Sequence, residues 1–215
     1  MKNLIILPLI LLSVSAFADS RIILGERIIL GSVGQTTDES EDSETGSTVE
    51  SSALGFGASF YNFTEESLYL GASLTQYSGD LDICGALLCI SPEGCPDKAC
   101  LSGDSTATTL TGEIGWDFDK WTPFIGASFA ATKLNLRGES ESDKEWNFLA
   151  GVWLEMRPFK LRGTVYSLDD SDNRTISGGM LFPMTDNITI GADFGVLLDS
   201  DKDGFSFSLQ IGRIF

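Results

Sequence analysis

The stretch that decides the fold is Phe205-Ser206-Phe207-Ser208-Leu209-Gln210-Ile211-Gly212-Arg213-Ile214-Phe215. Phe205, Phe207, Leu209, Ile211, Arg213 and Phe215 share one side; Ser206, Ser208, Gln210, Gly212 and Ile214 share the other. Side chains of a strand repeat every two residues, so this segment has one apolar face and one small or polar face. Ending on an aromatic, it predicts a membrane-crossing strand of an antiparallel barrel, with apolar side chains towards lipid and polar ones towards a lumen.

Outward from that stretch the same period recurs. Leu54, Phe56, Ala58 and Phe60 alternate with Gly55, Gly57, Ser59 and Tyr61, and Leu68 to Leu74 alternate with Tyr69 to Thr75. Strands are expected over 21–33, 53–63, 68–77, 107–118, 123–136, 145–156, 159–168, 174–183, 188–198 and 204–215. The first is the weakest, because Glu26 and Arg27 fall in its middle. Ten strands satisfy the even number of bacterial single-chain barrels; eight would follow if two segments were miscounted. Connections near Thr64, Lys120, Pro158 and Asp186 are short, and the others are longer and charged. Short periplasmic turns and long external loops would put both ends of the chain on the periplasmic side. Phe63, Trp116, Phe118, Trp121, Phe124, Phe159, Phe182 and Phe215 would then form an interfacial girdle. A soluble antiparallel sandwich also alternates, but it would need a second packable face where this chain has Gly, Ser, Thr and charge.

At the other end, Lys2 precedes an apolar run from Leu4 to Leu12 and a small-x-small site, Ala16-Phe17-Ala18. This reads as a secretory signal over 1–18, leaving a barrel domain over 19–215; the run is too short for a helical span, although an uncleaved anchor is the competing reading. The 215 residues carry 14 Lys plus Arg against 31 Asp plus Glu, a formal net charge of −17. Such acidity argues against nucleic acid as a partner. The charges crowd into 38–50, 80–104, 137–145, 169–174 and 199–203, all expected to be loops.

The signal, the strand–turn rhythm over 21–215 and the ending FSFSLQIGRIF resemble the small outer-membrane β-barrel proteins of the OmpX and OmpA-barrel kind, the porin-family outer-membrane β-barrel domain. The resemblance implies a bacterial outer-membrane location. It also implies a closing strand read by the barrel-assembly machinery through Phe207, Leu209, Ile211 and Phe215. Those relatives have eight strands, and the count here is ten.

Glu113, Asp117, Glu155, Lys160, Arg162 and Asp193 fall on the inward faces, where a charge avoids the ~2–4 kcal/mol that lipid exposure costs Arg or Lys at mid-depth. Arg162 should pair with Glu113 or Glu155, because buried charges need partners. A plugging network and a narrow polar conduit both fit. The chain has no histidine, which removes His-based triads and general acid–base catalysis, so no enzyme and no cofactor are expected. Asp199, Asp201 and Asp203, followed by Gly204, open like a calcium loop. Gln210 replaces the closing Glu and flanking helices are missing, so they remain a weak candidate and no metal is assigned.

Cys84, Cys89, Cys95 and Cys100 sit in one external segment, which in an oxidising compartment predicts two disulfides. Three connectivities are open; the symmetric spacing suits Cys84–Cys100 outside Cys89–Cys95, and a four-thiolate zinc site is the rival. The acidic stretch Thr36 to Ser51 reads as a solvated loop, as one that bridges to lipopolysaccharide phosphates through divalent cations, or as one that captures a glycan or a cationic peptide. The expected role is structural or surface-interacting, adhesin-like, through the acidic and stapled loops. A narrow passive channel for small solutes is the runner-up. Expected partners are outer-membrane lipid, lipopolysaccharide, the assembly machinery and an extracellular surface ligand, around a monomer.

Overall fold

In the computed structural model, residues 25–42, 47–85, 99–118, 120–137, 139–156, 158–171, 173–198 and 202–215 are described. They form ten antiparallel strands closed into an up-and-down barrel, each paired with its sequence neighbours and the last with the first. The strands are β1 (Gly25–Asp42), β2 (Ser47–Thr64), β3 (Leu68–Gly85), β4 (Ala99–Trp116), β5 (Trp121–Leu136), β6 (Glu139–Met156), β7 (Phe159–Tyr166), β8 (Thr175–Pro183), β9 (Ile188–Leu197) and β10 (Lys202–Ile214). No helix among the described residues is long and apolar enough to cross a membrane, which says nothing of crossing by strands.

Register fixes the geometry. Paired positions followed round the wall run Glu26, Phe63, Tyr69, Gly115, Phe124, Gly151, Thr164, Ser177, Gly195 and Ser206, then return to β1 at Thr36. The return falls ten residues along β1, from 26 to 36, a stagger of one residue per strand. That corresponds to strands tilted by about 35–40°.

The alternation read from sequence sorts the two faces. Leu54, Leu110, Ile125, Leu209 and Ile211 are among the exposed apolar side chains of the outer wall. Trp116, Phe118, Trp121, Phe182 and Phe215 mark its rim at the short-turn end, while Phe129 packs against Trp146 and Phe194 against Phe205 near the opposite boundary. An exposed apolar band between two aromatic rims is stable only in lipid.

Several expectations are corrected. β1 runs from Gly25 to Asp42, well past the expected end at Val33, so Glu26 and Arg27 lie near its short-turn end; 21–24 lie outside the described residues. Most of the acidic stretch 36–51 belongs to β1 and β2, with 43–46 outside the described residues. Most of the expected charged loop 137–145 lies in β6, and the cysteine segment is shortened by β3 reaching Gly85 and β4 starting at Ala99. These extensions form because antiparallel pairing continues past the membrane as long as the backbone ladder does, whatever the side chains. Phe63 and Phe124 are not girdle residues; they point inward and are buried. The expected signal segment, 1–18, lies outside the described residues.

Candidate functional site

Two features stand out: a packed lower lumen and a sheet that rises past the membrane. The lumen is filled in its short-turn half. Tyr61 and Phe63 near the end of β2, Tyr69 at the start of β3, Phe124 on β5 and Trp153 on β6 form one buried cluster with Ile28, Leu30, Leu149 and Leu181. Phe63 stacks at a tilt on Tyr69 with ring centres 5.0 Å apart, and Tyr61 meets Trp153 edge-on at 5.1 Å. Small inward residues make the room: a Cβ on Gly71 would fall 2.7 Å from both Glu113 Oε2 and the Tyr69 hydroxyl.

A hydrogen-bonded ion pair sits on top of these rings. Arg162 donates from Nη2 to Glu113 Oε1 at 2.6 Å and from Nη1 to the Tyr61 hydroxyl at 2.6 Å. The Tyr69 hydroxyl donates to Glu113 Oε2 at 2.6 Å and itself accepts from the Trp153 indole N–H at 3.0 Å. The Arg162 guanidinium also lies 5.1–5.3 Å from the rings of Phe124, Tyr61 and Trp153. Both carboxylate oxygens are thus occupied, which offsets much of the cost of burying the pair, while Arg162 Nε is buried with no partner among the described residues.

Of the two partners expected for Arg162, the structure joins it to Glu113. Glu155 instead pairs with Lys160, which also reaches Glu26 Oε2 at 2.9 Å and lies over the Phe63 ring at 4.6 Å. This second cluster lines the lumen at the short-turn end, below the rings. Asp117 accepts from Thr122 Oγ1 at 2.9 Å at the β4–β5 turn, and Asp193 faces inward on β9 beside Gly179. Tyr61, Tyr69, Trp153 and Glu26 were missed. The signal was present: Tyr61 and Tyr69 share strand parity with Gly and Ser, so their rings had to point inside.

The second feature follows from strand length. β1–β4 and β6 have 18 residues and β5 has 16, against 8, 9 and 10 in β7, β8 and β9. The taller wall therefore stands roughly 20 Å above the shorter one once tilt is allowed for. On its convex side Asp203, Glu39, Glu50 and Asp82 are successive cross-strand partners, and Asp80 faces Asp104. Its concave side carries Val49, Ile83 and Leu101 in one paired row. Cys84 is bonded to Cys100 across β3 and β4 with a Cα separation of 4.1 Å. Cys89, Cys95, Asp199 and Asp201 lie outside the described residues, and Asp203 sits in β10 opposite Glu39. Among the described residues no group of three or more His, Cys, Asp or Glu is placed to hold a metal ion. Phe207, Leu209, Ile211 and Phe215 all face outward and are exposed.

The closed register, the lipid-facing band and the paired aromatic rims decide the environment. The chain has the fold of an outer-membrane β-barrel. Among solved structures, the translocator domain of the autotransporter NalP from Neisseria meningitidis matches with a TM-score of 0.55 at 14% identity, over 97% of this chain and 94% of that one. The outer membrane protease OmpT from Escherichia coli gives 0.48 at 11% identity over 88% and 95%, and Ail, the attachment invasion locus protein of Yersinia pestis, gives 0.47 at 14% over 89% and 99%. At such identities these are likenesses of fold. No protein-family profile matches the chain, and no curated protein does.

Proposed function

We propose that this barrel is a non-catalytic, non-conducting surface protein with an adhesin-like role, presenting the tall β1–β6 sheet to an extracellular ligand. The observation that carries this is the overrun of β1–β6 past β7–β9 by eight to ten residues for the 18-residue strands. A barrel that only spanned the membrane would have no use for such strands. The overrun leaves both faces of a rigid sheet open above the lipid, and a rigid surface loses little entropy on binding. Its convex rows of carboxylates favour cationic partners and repel anionic ones. Below it, the ring cluster and the Glu113–Arg162 pair fill the cross-section, which opposes a passive channel. The missing histidine opposes catalysis of the kinds that depend on one. Lipopolysaccharide would surround the outer leaflet face, and the assembly machinery would read Phe207, Leu209, Ile211 and Phe215.

The test is adherence of cells displaying the intact protein or a variant with β1–β6 trimmed to the height of β7–β9. Heat-modifiable mobility in unboiled detergent gels reports that both barrels are closed. The trimmed protein should remain heat-modifiable and lose adherence; adherence retained would end the proposal.

A further inference from the structure

The tall sheet has an open edge. β6 pairs with β7 only from Ala150 to Met156. One step higher, the Leu168 N–H donates to the Phe148 carbonyl at 3.0 Å and the Phe148 N–H donates to Asp169 Oδ1 at 3.1 Å. Above Phe148, residues 139–147 pair, among the described residues, with β5 alone. Since the N–H and C=O of Phe148 point to the β7 side, the period of two aims those of Ser140, Ser142, Lys144 and Trp146 the same way. Of these donors, the Lys144 N–H is accepted by the neighbouring Asp143 Oδ1 at 2.8 Å. Residues 139–146 are all exposed.

The side chains along this edge are sorted by charge. Glu139, Glu141, Asp143 and Glu145 occupy alternate positions on the concave face, level with Leu136, Leu134, Thr132 and Ala130 of β5. Among the described residues none of the four is in an ion pair; Glu145 accepts only from Asn147 Nδ2 at 3.1 Å. Exposed edges are often blunted by charge to prevent wrong pairing. Here the blunting is selective. A second copy adding its own β6 would set carboxylate beside carboxylate, which is unfavourable, whereas Lys or Arg at every second position would meet an opposite charge at each step.

We infer that the β6 edge over residues 139–147 is a docking site for an extended, basic peptide segment that adds a strand to the tall sheet. Backbone bonds to Ser140, Ser142, Lys144 and Trp146 provide the attachment, as in other strand additions to an open edge. The alternating carboxylates provide the selection: Lys or Arg must recur at i, i+2 and i+4 of the incoming strand. This names the partner class for the surface role proposed above and rests on that role.

The experiment uses the full barrel in lipid nanodiscs with three fluorescent octapeptides: alternating Arg-Thr, the same composition with the arginines in one block, and alternating Glu-Thr. The alternating basic peptide should bind, protect the edge amides from hydrogen exchange and leave the β5–β6 ladder unchanged. The blocked peptide should bind about tenfold more weakly, since it loses the matched edge contacts, and the acidic one not at all. Ser142→Pro removes an edge-facing donor while sparing the β5 ladder, and should weaken binding about tenfold in a barrel that remains heat-modifiable. Equal binding of blocked and alternating peptides, no protection at 140–146, or an unaffected Ser142→Pro variant would each overturn the inference. Self-association of the barrel through this edge would do so too. If none of the peptides binds while trimming the sheet still abolishes adherence, the partner class is wrong and the surface role stands.

Discussion

Arg162 of β7 and Glu113 of β4 meet across the lumen with Nη2 and Oε1 2.6 Å apart, their side chains 10% and 2% exposed. Strands this far apart in the wall touch only because the interior is narrow. The pair is therefore a tie across the barrel as well as a neutralised charge. Its aromatic surround keeps out competing water, so each partner depends on the other.

Removing one partner should be costly. Glu113→Gln leaves the guanidinium buried beside rings without the carboxylate it is bonded to, and is expected to lower stability by about 3–5 kcal/mol. The double variant Glu113→Gln, Arg162→Met removes both charges and should recover more than half of that loss. Urea unfolding from lipid vesicles, followed by tryptophan fluorescence, measures both; a single variant within ~0.5 kcal/mol of the native protein would show that the pair is unimportant.

The packed lumen predicts electrical silence. Planar bilayers containing the native barrel should show no stable openings. Truncating two rings at once, as Tyr69→Ala with Trp153→Ala, removes the inner plug around Glu113 while leaving the strand ladders whole, and should produce discrete conducting events. Frequent stable openings of the native protein would contradict the filled cross-section.

Much of the membrane-embedded wall was legible, and the reason is physical. Lipid on one side and a polar interior on the other impose a strict period of two, as Leu209, Ile211 and their neighbours show. Above the lipid that contrast vanishes. Ser140, Ser142 and Lys144 alternate with Glu139, Glu141 and Asp143, and both sets face water, so no hydropathy pattern separates this strand from a loop. Phe63 and Phe124 were misassigned for a different reason: their closeness to turns suggested a girdle, while their parity with Tyr61 and Gly126 placed them inside. For the lumen charges, sequence could give the inward face. Which carboxylate reaches Arg162 depends on the ten-residue stagger, a property of closure that no single strand encodes.

Glycines offer a matched pair of tests. Gly71 leaves space for the Tyr69 hydroxyl and Glu113, each 2.7 Å from where a Cβ would stand, whereas Gly112 has nothing within 4 Å of that point on the outer wall. Gly71→Val should cost about 1–3 kcal/mol through overpacking and misplace the network. Gly112→Ala should lie within ~0.5 kcal/mol of the native protein. Refolding yield into vesicles and unfolding midpoints check both, and similar losses at the two sites would deny the packing account.

The disulfide should stabilise the tall sheet without affecting the membrane barrel. Cys84 and Cys100 are directly paired across β3 and β4, near the top of the sheet and well above the lipid-facing residues of the same strands. Their bond closes a short loop with a sequence separation of 16, for which chain entropy predicts about 3 kcal/mol against local opening. Because the ladder from Leu68 to Leu81 is anchored in the membrane wall, loss of the bond should be felt only above it. In Cys84→Ser, Cys100→Ser, heat-modifiable mobility and the global unfolding midpoint should be unchanged, while amide exchange over 81–85 and 99–103 should accelerate by about a hundredfold, as the ~3 kcal/mol allows. Faster exchange in the lower halves of β3 and β4 as well would mean that the bond supports the whole barrel. Unchanged exchange near the bridge would mean that the hairpin holds its top without it.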